Sequence, residues 1–179
     1  MAYSRQPISR GRITVEEIFD VVDEFDVVIG RASRREVHAR RLWHRAVHVF
    51  LFNGSGEFLL QMRSANKDEY PLTYTSSCSG HVDCGETYDE AVARELGEEL
   101  GLDCPLEPLQ QFAATEELAL EHTMLYRAVT DAEPTIDEEE IAFVRFHPLA
   151  EVKEMLAGEP ETFSPPLRVL LRWYFDADV

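Results

Sequence analysis

Residues 80–102 have the sequence GHVDCGETYDEAVARELGEELGL, in which spaced glycines flank a run rich in alanine, leucine and glutamate. From about residue 88 to 100 the run has a single glycine and no proline, and another glycine follows, which predicts a helix. Positions i, i+3 and i+4 share a helix face, so Glu95, Glu98 and Glu99 lie together. The neighbouring arc carries the apolar residues Val92, Ala93, Leu96 and Leu100. We therefore expect a helix buried along one stripe, with three carboxylates facing a cleft beside it.

Three clustered carboxylates repel one another unless a cation lies among them. Hard oxygen ligands suit Mg²⁺ or Mn²⁺, which bind through a few carboxylates together with water and substrate phosphates. Arg94 lies off the acidic arc and can hold a glutamate through two parallel hydrogen bonds. A divalent cation is the expected cofactor, with ligands from Glu95, Glu98, Glu99 and the Gly80 carbonyl.

The spacing of these residues matches the pattern G-x5-E-x7-R-E-U-x-E-E-x-G-U, where U is apolar, at every specified position. This resembles the Nudix box, the loop–helix–loop of the Nudix hydrolase family. The resemblance implies an α/β fold, a mixed sheet sandwiched between helices, and cleavage of a pyrophosphate linkage in a nucleoside diphosphate derivative or nucleoside di- or triphosphate by water attack at phosphorus. It implies that Glu95 and Glu99 are the main metal ligands and that Glu98 is a further ligand or the base. The expected catalytic residues are Glu98, Glu95 and Arg94, with Glu121 as an extra ligand or base on a nearby strand.

The length of 179 residues suits a single domain, which we place at residues 15–179 after a flexible tail of residues 1–14. The clearest element outside the box is a hairpin over residues 45–63, whose apolar residues on both faces predict a central position between helices. Residues 34–44, RREVHARRLWH, are either a solvated connector or a basic patch that faces phosphate. Strands are further expected in 16–34 (a pair), 106–115, 117–129 and 141–149, and helices in 150–158 and 165–175.

The net charge of −17 argues against a nucleic acid polymer or a membrane as partner. We expect a small-molecule diphosphate substrate, met by metal and by local basic residues. The cysteines Cys78, Cys84 and Cys104 have no zinc-ligand spacing and an odd count, which favours a reducing compartment. With no signal peptide or membrane-length apolar run in the sequence, we expect a cytoplasmic protein.

Segments outside the box resemble one branch of the family, the proteins related to isopentenyl-diphosphate isomerase. The segments DVVDEFDVVIGRASR, LWHRAVHVFLFN and ETFSPPLRVLLRWYF carry this resemblance over most of residues 15–175. The isomerase moves a double bond by proton transfer, using a cysteine directly before a Gly/Ser–His pair and a metal held by several histidines and glutamates. The resemblance implies metal-binding roles for His38, His44, His81 and Glu121.

The chain departs from the isomerase pattern at two positions. Ser79 stands where the cysteine belongs, and Cys78, one residue earlier, falls on the opposite face of a strand. Ala119 takes the place of a second glutamate. Because the hydrolase box has no such departure, hydrolysis is the expected activity. Isomerisation and a noncatalytic nucleotide-sensing role are the alternatives.

Some residues allow two interpretations. Cys78 is either a buried small apolar residue or a nucleophile. His44 and His48 alternate with apolar residues, so they are either hydrogen-bonded structural histidines or ligands. The acidic run 138–140 is either a solvated turn or the source of an acid that completes the site. Exposed apolar positions in the N-terminal strands make a homodimer possible.

Overall fold

A computed structural model describes residues 16–177 of the chain. The tail predicted for residues 1–14 lies outside the described residues. The strands are β1 (Ile18–Val22), β2 (Val28–Ser33), β3 (His44–Phe52), β4 (Phe58–Arg63), β5 (Tyr74–Thr75), β6 (Cys78–His81), β7 (Leu106–Phe112), β8 (Glu121–Val129) and β9 (Ile141–His147). The helices are α1 (Arg34–Arg40), α2 (Tyr88–Leu100), α3 (Leu149–Gly158) and α4 (Pro165–Asp176), with a 3₁₀ turn at Pro160–Thr162.

Strand β3 is the centre of a seven-stranded mixed sheet. Five strands run in the order β5-β4-β3-β8-β7, while β6 pairs with β3 and β9 pairs with β4. The β3–β8 pair is parallel, from His44 opposite Glu121 to Phe52 opposite Val129. Strand β6 lies antiparallel to β3. Strands β1 and β2 form a separate antiparallel pair, as the sequence predicts.

The side chains on the two faces of β3 pack into two different hydrophobic cores. Val47, Val49 and Leu51 pack with the buried side of α2. Phe50 and Phe52, which point the other way because side chains alternate along a strand, pack with α3 and α4. The expected sandwich of a mixed sheet between helices is confirmed.

Helix α2 spans the residues that the sequence predicts. Thr87 caps its start, and Glu90 reciprocates by accepting a hydrogen bond from the Thr87 backbone N–H, a capping box. Gly101 ends it in the left-handed conformation at φ 63°. The buried stripe differs at one position from the prediction, because Ala91 is buried and Ala93 is exposed.

Most of the segment 34–44, for which the sequence predicts no helix, forms helix α1. Ser33 accepts a hydrogen bond from the Glu36 N–H at the helix start, and Arg41 ends the helix with φ 55°. Only Val37 is buried, so the segment lacks the apolar repeat that would have revealed a helix. No helix within residues 16–177 combines the length and the apolar character needed to cross a membrane.

Candidate active site

A cavity of about 580 Å³ opens where β3 and β6 meet the helices α1 and α2. The antiparallel register places Ala46 opposite His81 and His48 opposite Ser79, so these four side chains share one face of the sheet. All four line the cavity, and Glu121 of β8 lines it as well. The volume lies within the range of small-molecule sites.

The three box acids Glu95, Glu98 and Glu99 line this cavity from α2. Glu99 is buried and accepts a hydrogen bond from the Ser79 N–H at 3.2 Å. The Glu95 side chain is 14% exposed, whereas that of Glu98 is 64% exposed. Glu95 lies directly against Gly80, where an added Cβ would come within 2.0 Å of the Glu95 carboxyl carbon. The missing side chain at Gly80 thus allows the helix to bring its acids against β6.

Arg94 holds this acidic face together. Its Nε and Nη2 atoms donate to the two oxygens of Glu86 at 3.0 and 2.9 Å, a bidentate pair. Its Nη1 atom donates to Glu95 at 2.7 Å and to Glu98 at 3.2 Å, and Nη2 also donates to the His81 carbonyl. The guanidinium therefore fixes the loop before α2 to the helix that follows.

The charges of Glu95 and Glu99 remain incompletely compensated. Burial, the neighbouring Glu99 and a weaker effect of Glu98 raise the pKa of Glu95 to about 8, despite the contact with Arg94. Burial raises the pKa of Glu99 to about 7, although Lys67 opposes the shift. Buried carboxylates that share one wall and attract protons are a hard-oxygen donor set, which fits Mg²⁺ or Mn²⁺.

Three histidines form a second group beside the cavity, and His81 of this group lines it. One ring nitrogen from each of His38, His44 and His81 lies within 4.8 Å of the others. His44 Nδ1 lies 3.0 Å from the Leu42 carbonyl, and His38 Nδ1 lies 3.1 Å from Glu69 Oε1. These contacts place the N–H on Nδ1 of both rings. Their Nε2 atoms are buried and make no hydrogen bond within residues 16–177.

Glu121 adds a carboxylate to the histidine group. Its Oε1 atom accepts a hydrogen bond from His81 Nε2 at 3.1 Å and lies 3.5 Å from His44 Nε2. Burial opposes ionisation, but the two adjacent rings hold the pKa of Glu121 well below its usual range. Imidazole nitrogens and a carboxylate suit Zn²⁺, Mn²⁺ or Fe²⁺. The position expected of a second glutamate, Ala119, lines the same cavity without a ligand atom.

Cys78 and Ser79 lie on opposite faces of β6. Cys78 pairs across the sheet with Val49 and is fully buried in the core beneath α2. Burial, with Glu99 nearby, raises the pKa of the Cys78 thiol well above its ordinary value. Ser79 lines the cavity in the place that the isomerase pattern gives to cysteine. The interpretation of Cys78 as a buried apolar residue is the one that this geometry favours.

His48 has a structural partner on the cavity wall. Its Nδ1 atom lies 2.7 Å from the Ser76 hydroxyl, which in turn donates to the Cys78 carbonyl. The ring must therefore donate to Ser76. Burial, with a smaller contribution from Arg63 and His81, lowers the pKa of His48 to about 4, so the ring is neutral at pH 7.

The sequence analysis missed several cavity residues at the end of β4 and in the connection between β4 and β5. Arg63, Lys67, Glu69 and Tyr70 all line the cavity. The charged segment SANKDEYP has no motif spacing, so only its charge density hinted at a role. Of the acidic run 138–140, Glu140 lines the cavity and pairs with Lys67, while Glu138 is exposed.

Comparisons with known proteins agree with this fold. The family model of the NUDIX domain matches residues 42–174. An isopentenyl-diphosphate Delta-isomerase 2 of Photorhabdus laumondii is 31% identical over 155 residues, covering 84% of this chain and 88% of the relative. An uncharacterized Nudix hydrolase of Yersinia pestis is 32% identical over 168 residues, covering 93% of this chain and 90% of the relative.

A crystal structure of a protein from Deinococcus radiodurans has a similar fold. It superposes with a TM-score of 0.76 and 28% sequence identity, over 87% of this chain and 98% of the other. The similarity therefore extends over nearly the whole described region.

Proposed function

Because the chain belongs to the Nudix family, whose enzymes generally use divalent metals, we propose that it is a metal-dependent hydrolase of a small-molecule diphosphate. The bond cleaved is a pyrophosphate linkage in a nucleoside diphosphate derivative or a nucleoside di- or triphosphate. The observation that carries this proposal is the convergence of Glu95, Glu98 and Glu99 on one cavity, with Arg94 binding two of them.

We assign the metal to the acidic wall. Glu95 and Glu99, with the Gly80 backbone, would hold Mg²⁺ or Mn²⁺, since both carboxylates are sheltered from solvent. Such an ion, when bound, neutralises charge on the diphosphate and acidifies water. Arg94 bridges the carboxylates of Glu95 and Glu98 through its Nη1 atom and thereby orients them.

Glu98 is the residue we propose as the base. It is the most exposed of the three acids, so its carboxylate can accept a proton from the attacking water and release that proton to solvent. Glu121 is a less suitable base for this wall because both adjacent histidines engage it.

Cationic side chains that line the same cavity would contact the proposed substrate. Arg34, Arg63 and Lys67 line the wall and offer positive charge to phosphate oxygens within an otherwise acidic protein. A cavity of about 580 Å³ can accommodate a small molecule. These features support the proposed diphosphate.

The test is release of phosphate or nucleotide from a panel of nucleoside phosphates, dinucleotides, nucleotide sugars and coenzyme A, with and without Mg²⁺ or Mn²⁺. Glu98→Gln should lower kcat by about 10²- to 10⁴-fold with an unchanged circular dichroism spectrum. Glu154→Gln, an exposed acid on α3, is the matched control and should behave as the wild type. Metal-independent turnover, or full activity in Glu98→Gln, would contradict the assignment.

A second candidate is isomerisation of isopentenyl diphosphate, which the group of three histidines and Glu121 favours. The burial of Cys78 beneath α2 and the hydroxyl of Ser79 in the cavity weigh against it, because a serine is a far weaker acid than a thiol. Solvent deuterium incorporation into isopentenyl diphosphate tests this candidate directly. Absence of exchange in the wild type and its appearance in Ser79→Cys would show that the missing thiol separates this chain from an isomerase.

A further inference from the structure

The histidine group has a carboxylate partner that neither the box nor the isomerase pattern contains. Glu69 belongs to the connection between β4 and β5, and its Oε1 atom lies 3.1 Å from His38 Nδ1. Both side chains are partly buried, and Glu69 lines the cavity together with His81 and Glu121. His38, by contrast, comes from α1, so the contact joins two segments that are distant in sequence.

The connection is built so that Glu69 stays in place. Arg63 Nε donates to the Glu69 carbonyl at 3.0 Å. Thr73 donates through its hydroxyl to the Tyr70 carbonyl at 2.8 Å, and Tyr70 itself has φ 48°, which a non-glycine residue adopts only where its surroundings impose it. The backbone on both sides of the Glu69 carboxylate is therefore fixed.

The contact with Glu69 determines the orientation of the His38 ring. A carboxylate that accepts from Nδ1–H fixes the tautomer, so Nε2 carries a lone pair. That Nε2 atom is buried, has no hydrogen-bond partner among residues 16–177, and belongs to the group that includes His44 and His81. Histidines that bind metals commonly donate their other N–H to a carboxylate in this way.

We propose that Glu69 is a positioning residue for the divalent-metal site that the isomerase resemblance implies at His38, His44, His81 and Glu121. It acts through His38, by holding the ring in the tautomer and orientation that directs Nε2 to the other two histidines. Its donors include three imidazole nitrogens, whereas the acids of α2 offer only oxygen atoms, so this site selects a softer ion than Mg²⁺.

The experiment is a titration of the full-length protein with Co²⁺ in excess Mg²⁺, followed by visible absorption. Magnesium occupies oxygen donors, while nitrogen-bound Co²⁺ of low coordination number absorbs more strongly than the hydrated ion. Glu69→Ala should weaken the absorbing site by about 10- to 100-fold. Glu69→Gln should retain most of the affinity, because its amide oxygen still accepts from Nδ1–H. Glu36→Ala removes a carboxylate that pairs with Arg40 on α1 and is the matched control, with no expected change.

A double-mutant cycle separates positioning from direct binding. In a His38→Ala background, Glu69→Ala should cause no further loss of Co²⁺ affinity, since the residue through which it acts is gone. Additive losses, or a Glu69→Gln variant as weak as Glu69→Ala, would show that the carboxylate contacts the metal itself and would overturn the proposal. Unchanged affinity in Glu69→Ala, or a wild type with no histidine-dependent absorption, would overturn it as well. Phosphate release with Mg²⁺ and its loss in Glu98→Gln are separate readouts. They test the proposed hydrolase activity independently of the role of Glu69.

Discussion

Arg94 shows how much of the acidic wall depends on one side chain. A guanidinium has several N–H donors in one plane. Those of Arg94 donate hydrogen bonds to Glu86, Glu95 and Glu98 and to the His81 carbonyl. A lysine keeps the charge but cannot make the bidentate pair. The shape of the donor, as well as its charge, is what arranges these acids.

We therefore predict that Arg94→Lys lowers activity and destabilises the fold. The free energy of unfolding should fall by roughly 1–3 kcal/mol, because hydrogen bonds to charged groups are lost. Urea denaturation measures the stability, and phosphate release measures the activity. Arg172→Lys, at an exposed position on α4, is the control and should change neither quantity. Equal effects in the two variants would mean that the fork geometry is unimportant.

The lowered pKa of the buried His48 ring predicts that the stability of the fold depends on pH. Its pKa is about 4 in the folded chain and 6.5 in the unfolded reference, so between these values only the unfolded state binds the proton. The wild type should therefore lose about 3 kcal/mol relative to His48→Gln as the pH falls from 6.5 to 4. Above about pH 7.5 the ring is neutral in both states, and the difference should stay constant.

Chemical denaturation of both proteins across this range provides the measurement. Other titrating groups contribute equally to the two proteins and cancel in the difference. Parallel stability curves from pH 7 to pH 4 would show that the buried ring accepts a proton, contrary to the prediction.

At the scale of elements, the decisive contact is that between β6 and α2. Glu95 occupies the space that a side chain at position 80 would fill. A side chain at this position would therefore force the Glu95 carboxylate to move. The spacing of Gly80 and Glu95 in the sequence thus has a steric meaning that is visible only when the two elements pack.

Gly80→Ala should displace the Glu95 carboxylate, because the added methyl group occupies its place. We expect Mn²⁺ binding and catalysis to weaken by at least about tenfold, a loss of about 1.4 kcal/mol. Gly97→Ala is the control on the same helix, because an added Cβ there meets nothing within 4 Å. That substitution should stabilise the helix by roughly 0.5–1 kcal/mol. Calorimetric titration with Mn²⁺ compares the variants, and wild-type affinity in Gly80→Ala would contradict the steric argument.

At the scale of the whole molecule, the β1–β2 pair stands apart from the main sheet. Strand β2 pairs with β1 alone among the described strands, and its residues Val28 and Ile29 are exposed. Phe25 and Val27 precede them, and Phe25 is 77% exposed. An apolar strand at a sheet edge offers unpaired backbone groups to another chain.

The homodimer stays a prediction, and this edge is where we expect it to form. Light scattering should give twice the chain mass for the wild type and a single chain mass for Ile29→Lys, because an edge lysine opposes strand pairing. Glu154→Lys, which also adds a lysine but on α3, should leave the dimer intact. A monomeric wild type at high concentration would exclude the homodimer.

The fold and the acidic wall followed from local patterns. The helix of residues 88–100, its three acids and the central hairpin are set by spacing and by apolar alternation, both of which act over a few residues. The sequence did not reveal α1, because Val37 is its only buried residue. It also did not reveal where β8 begins. Ala119 and Leu120 have positive φ angles and so lie outside the strand, and no sequence motif indicates this conformation.

The sequence by itself determined the family, the sandwich and the acids of α2, because each depends on periodicity and on residue spacing. Only the tertiary structure joined Glu69 to His38 and placed both beside His81, since these residues come from three segments with no common spacing. It also decided the roles open to Cys78 and Ser79, because the face of a strand that meets a cavity depends on what packs against its other face.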